Sequence, residues 1–308
     1  MARNSKKTAP VKTDIYQRIT DLILEKLSGG VIPWRKPVSI AQVNGQTHFR
    51  PVNVETGKAY AGINALVLAC SPYDLPVFGT FKQIQALGGM VKKGAKSLPV
   101  IYWQKTKPKD AGQDEEKKGG FILKYYNVFN ILETDLDASV FRIGSTQAPE
   151  VLPETRKIPA CETIIEGYQN GPLLVHRDQT RMSYSILTDV VNMPDQVRFE
   201  HPEEYYHILF HELTHSTRHP SRLNRGTGVP NAFGGADYSQ EELTAELGAA
   251  FLASVAGISS ESTIDGSAAY LKGWFSALKN DKMLLFKASG EAKKATEWIL
   301  GEAPAQVA

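Results

Sequence analysis

His211-Glu212-Leu213-Thr214-His215 combines two metal-ligating side chains with a carboxylate that can move a proton. Residues four apart stand one above the other on a helix face, because a turn takes 3.6 residues. Both imidazoles can therefore reach a single ion, and Glu212 can reach a water beside it. A catalytic zinc takes three protein ligands and leaves a position for water, so a third must come from elsewhere. His207 and His219 extend the same stripe. Neither completes the set on a straight helix, where ligands eight residues apart lie about 12 Å from each other. Glu242 and Glu246 are better placed, four apart in Glu241-Glu242-Leu243-Thr244-Ala245-Glu246. One carboxylate can bind the ion while the other holds a ligand histidine by its free ring N–H. Glu242 is favoured as the ligand and Glu246 is the alternative. Ser239-x-x-Glu242 also fits a helix capping box, which would give Glu242 a structural task instead. The chemistry open to this set is hydrolysis. Zinc, or manganese in its place, lowers the pKa of water, in the zinc case to about 7. Glu212 then takes the proton as a carbonyl is attacked. Tyr238 is a candidate oxyanion donor, and a peptide substrate could add as a strand near Tyr184 or Leu187.

The elements that must carry these residues are legible around them. Glu203 to Phe210 supplies charged and apolar residues for a helix expected over 202–218, and a second helix is expected over 239–256. Short strands are expected at 173–175, 181–184 and 186–191, and further helices over 268–300. In the first half, Ile15, Ile19, Leu22, Ile23 and Leu27 recur at helical spacing until Gly29-Gly30. A short helix runs through Leu66 and Leu68. Thr80-Phe81-Lys82-Gln83 has the form of a capping box, and two strands, 98–103 and 121–129, flank a mixed-charge loop. The organisation expected is a polar, basic tail over 1–13, a domain over 14–134, a Pro-punctuated linker over 135–159, a second domain over 160–300 and a tail over 301–308.

Charge divides the 308 residues unevenly. Residues 1–132 carry 20 Lys and Arg against 9 Asp and Glu, a net of +11, whereas 133–308 carry 15 against 24, a net of −9. A basic module beside an acidic one points to a polyanionic partner for the first. Cations there alternate with aromatics: Trp34 with Arg35 and Lys36, Tyr60 near Lys58, Phe81 with Lys82, Tyr102-Trp103 near Lys105, and Lys124 with Tyr125-Tyr126. Lys92, Lys93 and Lys96 form a basic turn. Stacking tolerates any base, so this mixture suits single strands better than duplex. The candidate DNA contacts are Trp34, Arg35, Lys36, Lys58, Tyr60, Lys82, Lys92, Lys93 and Lys96. No run of about 18 apolar residues could span a membrane. Two cysteines, Cys70 and Cys161, give no disulfide framework, and a reducing cytoplasm is the expected compartment.

From Asp14 to Leu285 the chain resembles the ArdC-type antirestriction proteins of conjugative plasmids. In the first half the resemblance rests on Asp14-Ile15-Tyr16-Gln17-Arg18-Ile19, Pro33-Trp34, Thr56 to Asn64, Thr80 to Ile84, Gly88 to Gly94 and Val128-Phe129-Asn130. In the second half it rests on Met193-Pro194, the His211–His215 motif with Ser221-Arg222-Leu223, and Glu241 through Leu252. It implies an α+β protein of two domains: an N-terminal mixed α/β domain that binds single-stranded DNA, and a C-terminal zincin-like metallopeptidase domain. The implied role is protection of incoming plasmid DNA from restriction, with a protein substrate held near DNA, such as a restriction-system component. Where the family pattern continues from Phe-Asn into Val-x-Gln, this chain has Ile131-Leu132-Glu133. Two readings follow: a DNA-directed metallopeptidase, or a DNA-coating protein whose metal site is structural or silent.

Overall fold

The computed structural model describes residues 14–35, 40–105, 121–142, 156–178, 180–225, 236–258 and 268–302. Helix α1 (Ile15–Ser28) starts where Asp14 accepts hydrogen bonds from the amides of Tyr16 and Gln17, and it buries Ile15, Ile19, Ile23 and Leu27. A 3-10 turn (Pro33–Arg35) and a small hairpin of β1 (Ala41–Val43) and β2 (Gln46–His48) follow. The main sheet of the first half has the order β3-β4-β6-β5. β3 (Val52–Asn53) lies parallel to β4 (Val77–Gly79), and α2 (Ile63–Ala69) is the crossover between them. α3 (Phe81–Ala86) opens with the expected reciprocal cap between Thr80 and Gln83. β5 (Leu98–Lys105) and β6 (Phe121–Asn130) then pair antiparallel through eight residues each, from Leu98↔Val128 to Lys105↔Phe121.

The second half contains α4 (Pro159–Gly167) and a sheet of order β7-β9-β8, built from β7 (Leu173–Val175), β8 (Ser183–Ser185) and β9 (Val190–Asn192). Four helices complete it: α5 (Pro202–Ser216), α6 (Ala236–Ala256), α7 (Ala268–Asn280) and α8 (Leu284–Ile299). The strand expected over 186–191 is confined to its end. Residues 186–189 form a turn in which Asp189 takes φ 52°, a left-handed conformation that Asp tolerates. Tyr184 bonds back to Asp189 across this turn.

The two halves share a core. One apolar cluster joins Ile19, Ile23, Trp34, Leu66 and Val67 of the first half to Leu243, Leu247, Leu278 and Leu285 of the second. A separate cluster, with Tyr206, Leu209, Phe210, Leu252 and Ile299, lies wholly within the second half. The stretch expected as a linker is partly structured. A 3-10 turn (Ala138–Phe141) packs, with Leu136, against Ala41 and Val43, because apolar residues interrupt its polar run. Residues 143–155 of that stretch, and both expected tails apart from residues 301 and 302, lie outside the described residues. Among the described residues no helix is long and apolar enough to cross a membrane.

Candidate metal centre

α5 starts with Pro202 in its first turn, where a missing N–H costs nothing, and Glu203 and Glu204 there complement the helix dipole. Its buried face, Tyr205, Tyr206, Leu209, Phe210 and Leu213, fixes its rotation. His211 and His215 are thereby turned toward α6. The two helices run antiparallel, so that His211 faces Glu246 while His215 faces Glu241. Gly248 permits their close approach: a Cβ there would lie 2.5 Å from both Oγ1 and Cγ2 of Thr214, between the two histidines in sequence.

His211, His215 and Glu242 converge. The two Nε2 atoms are 3.1 Å apart, and each lies 3.6 Å from a different oxygen of Glu242. Ligands about 2.0–2.1 Å from one ion at tetrahedral angles stand about 3.3 Å apart, so the set fits a small divalent cation. Imidazole with carboxylate suits zinc and is compatible with manganese. Glu212 is buried at 8% exposure on the same turn of α5 as His211. Because α6 begins at Ala236, Ser239 lies inside the helix and is no N-cap, which removes the capping-box reading of Glu242.

Behind the convergent atoms lies a set of supports that the sequence reading missed. His215 Nδ1–H donates to Glu241 Oε1 at 2.9 Å, leaving Nε2 with its lone pair for an ion. Arg225 in turn donates to Glu241 Oε2 at 3.0 Å and to the Thr214 carbonyl at 2.9 Å. Burial opposes ionisation of Glu241, but the His215 hydrogen bond and the Arg225 charge hold its carboxyl below the usual range. For Glu242 burial is likewise outweighed by the two histidines, so its pKa is lowered. The signal for Glu241 was its place beside Glu242: on antiparallel helices, a carboxylate about one turn before Glu246 must face His215. Glu246 sits behind His211, with Oε1 3.9 Å from Nδ1. His207 is outside the set and its burial lowers its pKa to about 4, which keeps the ring neutral. His219 bonds Ser221 instead. The side chain of Tyr238 lies outside the described residues.

The candidate DNA contacts separate by burial. Trp34 is 5% exposed and meets Trp274 edge-on at 6.4 Å, so its faces are taken by the core. Tyr60 is also buried, with its hydroxyl accepting from Asn53 and its pKa pushed up to about 12, chiefly by burial. Arg35 is buried against Glu246. These three are corrected: none presents a surface to a base or phosphate. Lys36 lies outside the described residues. Lys58, Lys82, Lys92, Lys93 and Lys96 are exposed. Glu133 anchors the basic turn, accepting from the Lys96 amide at 3.0 Å while its backbone carbonyl accepts from the Lys92 amide at 2.9 Å. Of the exposed aromatics among the described residues, Phe81 is on α3 and the other five are on β5 and β6, with Tyr102 and Tyr126 on one face and Trp103, Phe121 and Tyr125 on the other. Tyr102 pairs across the strands with Lys124, and Arg18 lies over the Tyr125 ring.

Comparison with known proteins finds similarity in two regions of the chain. Residues 13–129 match the N-terminal domain of the anti-restriction factor ArdC, and residues 162–291 match a zincin-like metallopeptidase. The crystal structure of the antirestriction ArdC protein from plasmid R388, metal-free, is 31% identical and superposes with a TM-score of 0.72, covering 95% of this chain and 100% of that one. Its Mn(II)-bound structure gives 30% identity and a TM-score of 0.69, covering 96% of this chain and 100% of that one. A Sinorhizobium fredii protein, y4eC, is 31% identical over 95% of this chain and 94% of its own length. Two Escherichia coli proteins named DNA primase TraC are 31% and 29% identical over 95% and 96% of this chain, which spans only 27% and 20% of their length.

Proposed function

The chain belongs to the family of the ArdC antirestriction protein, and on that premise we propose that it is a divalent-metal-dependent peptidase that works beside single-stranded DNA. The convergence of His211, His215 and Glu242, with Glu212 on the same turn, carries this reading. The two Nε2 atoms and the Glu242 carboxylate would hold zinc or manganese, and Glu241 keeps His215 in the tautomer that can bind. The ion supplies Lewis acidity toward an amide carbonyl when bound. The Glu212 carboxylate takes the proton of the attacking water and returns it to the amide nitrogen that leaves. A silent or structural metal would leave Glu212 without a task.

DNA binding is assigned to the first half on its charge and on the exposed β5–β6 aromatics, whose faces can stack on unpaired bases. The relatives named DNA primase support a nucleic-acid setting. Single strands held there would bring a DNA-bound protein, such as a restriction component, to the peptidase site and so protect incoming plasmid DNA in the cytoplasm. Glu212→Ala tests the link between chemistry and protection. Loss of both peptide cleavage and protection in a conjugation assay supports the reading. Retained protection without cleavage would make DNA coating the mechanism.

A further inference from the structure

Both candidate ligand histidines have a carboxylate behind Nδ1, but the two carboxylates are anchored differently. Glu241, behind His215, is held by Arg225 of the same half at 3.0 Å. Glu246, behind His211, is held by Arg35 of the other half, whose NH2 group donates to Oε2 at 3.3 Å. The remaining oxygen, Oε1, faces His211 Nδ1 at 3.9 Å, about 1 Å beyond the His215–Glu241 distance. Both side chains are well buried, Arg35 at 7% and Glu246 at 13% exposure, so the pair is shielded from screening. Arg35 is held in turn by its own setting. The turn Pro33–Arg35 packs on α1, α2 and α6, and Trp34 is clamped against Trp274.

The partner on the far nitrogen of a ligating histidine fixes its tautomer and ring orientation. We infer that Arg35 is a positioning residue for the metal centre: through Glu246 it orients His211, so that docking of the first half completes a ligand set carried by the second. The arginine also offsets the charge of a carboxylate in a site already holding Glu212, Glu241 and Glu242, which keeps Glu246 from competing with Glu242 for the ion. The inference rests on the metal reading above and does not require peptidase activity.

The test is metal binding by the full chain. Zn2+ and Mn2+ affinities are measured by calorimetry, and Co2+ absorption spectra report ligand geometry, for the wild type, Arg35→Gln, Arg35→Lys, Glu246→Gln and the double Gln variant. Arg35→Gln and Glu246→Gln should each weaken binding about tenfold, at the lower end of what outer partners of metal ligands contribute. Both should shift the Co2+ spectrum. Arg35→Lys, which keeps the charge and the fold, should recover most of the loss. The double variant should bind no worse than either single one, because both act along one path. Wild-type affinity and an unchanged spectrum in Arg35→Gln, with only a lowered Tm, would overturn the inference and leave the metal reading standing. If Arg35→Gln fails to fold, wild-type affinity and an unchanged spectrum in Glu246→Gln would overturn it instead. A wild-type chain that binds neither zinc nor manganese overturns the metal reading and this inference together.

Discussion

Glu241 shows how one side chain, itself not convergent with the ligand atoms, governs what they can do. Its acceptance of the His215 Nδ1 proton leaves Nε2 free to bind. Replacing it by Gln should lower zinc affinity about 10- to 100-fold, as loss of such partners does, and should also lower Tm, because the buried Arg225 loses its counter-charge; calorimetric titration and thermal melts check the two. Asp189 is a contrasting case, with a purely structural task. Arg222, its side chain fully buried, donates to both carboxylate oxygens at 2.8 and 2.7 Å. Burial opposes ionisation of Asp189, but these bonds and the Tyr184 hydroxyl outweigh it and lower its pKa. A depressed folded pKa means that the stabilisation is present above the unfolded value of about 3.9 and is lost as pH falls through the folded one. Asp189→Asn tolerates the same left-handed backbone and should cost about 2 kcal/mol near pH 7. Urea melts from pH 7 down to 3 should show the gap to wild type narrowing only below about pH 4; a constant gap would contradict the ion pair.

The α5–α6 pair is the element on which the site depends, and Gly248 is its narrowest point. A methyl group there collides with Thr214, so Gly248→Ala should destabilise the fold by about 1–3 kcal/mol. Thr214→Ala in the same chain should restore part of that loss by clearing Oγ1 and Cγ2; a double variant as unstable as Gly248→Ala would place the strain elsewhere. The β5–β6 pair makes a separate prediction. Trp103→Ala and Phe121→Ala should each weaken binding of a single-stranded oligonucleotide by about 1–3 kcal/mol, measured by fluorescence anisotropy. Trp34→Ala should instead lower Tm with little effect on affinity once the chain is folded.

These elements differ in how far they could be read from the sequence. The motif helix, the Thr80 cap and the paired strands carry local signals: a periodicity, a reciprocal side-chain bond, an alternation. Trp34 and Tyr60 do not. Each lies near cations in the sequence, yet Trp34 is covered by Trp274, some 240 residues away, and Tyr60 is tied to Asn53. Burial of that kind is decided by distant partners. The turn at 186–189 was hidden for a related reason, since Asp189 takes its conformation together with the Arg222 pairing.

Taken as a whole, the chain joins a basic half to an acidic half through a common core, and Arg35 extends that core to the candidate metal site. Convergence of His211, His215 and Glu242 was legible as a choice between two glutamates, because helix periodicity places both on one face and packing alone selects between them. The Arg35–Glu246 pairing that links that site to the first half was not legible, because nothing local relates the two residues. On the proposed function, Glu212 is the general base for hydrolysis at this centre. The most direct measurement is mass-spectrometric detection of peptide-bond cleavage in an unfolded protein substrate, by the full chain with Zn2+ or Mn2+ and a single-stranded oligonucleotide. Glu212→Ala is run beside it, with bound metal quantified. The prediction is cleavage by the wild type and a loss of about 10²- to 10⁴-fold in Glu212→Ala at equal metal content. Equal cleavage by the two proteins, or none by a fully metal-loaded wild type, would contradict it.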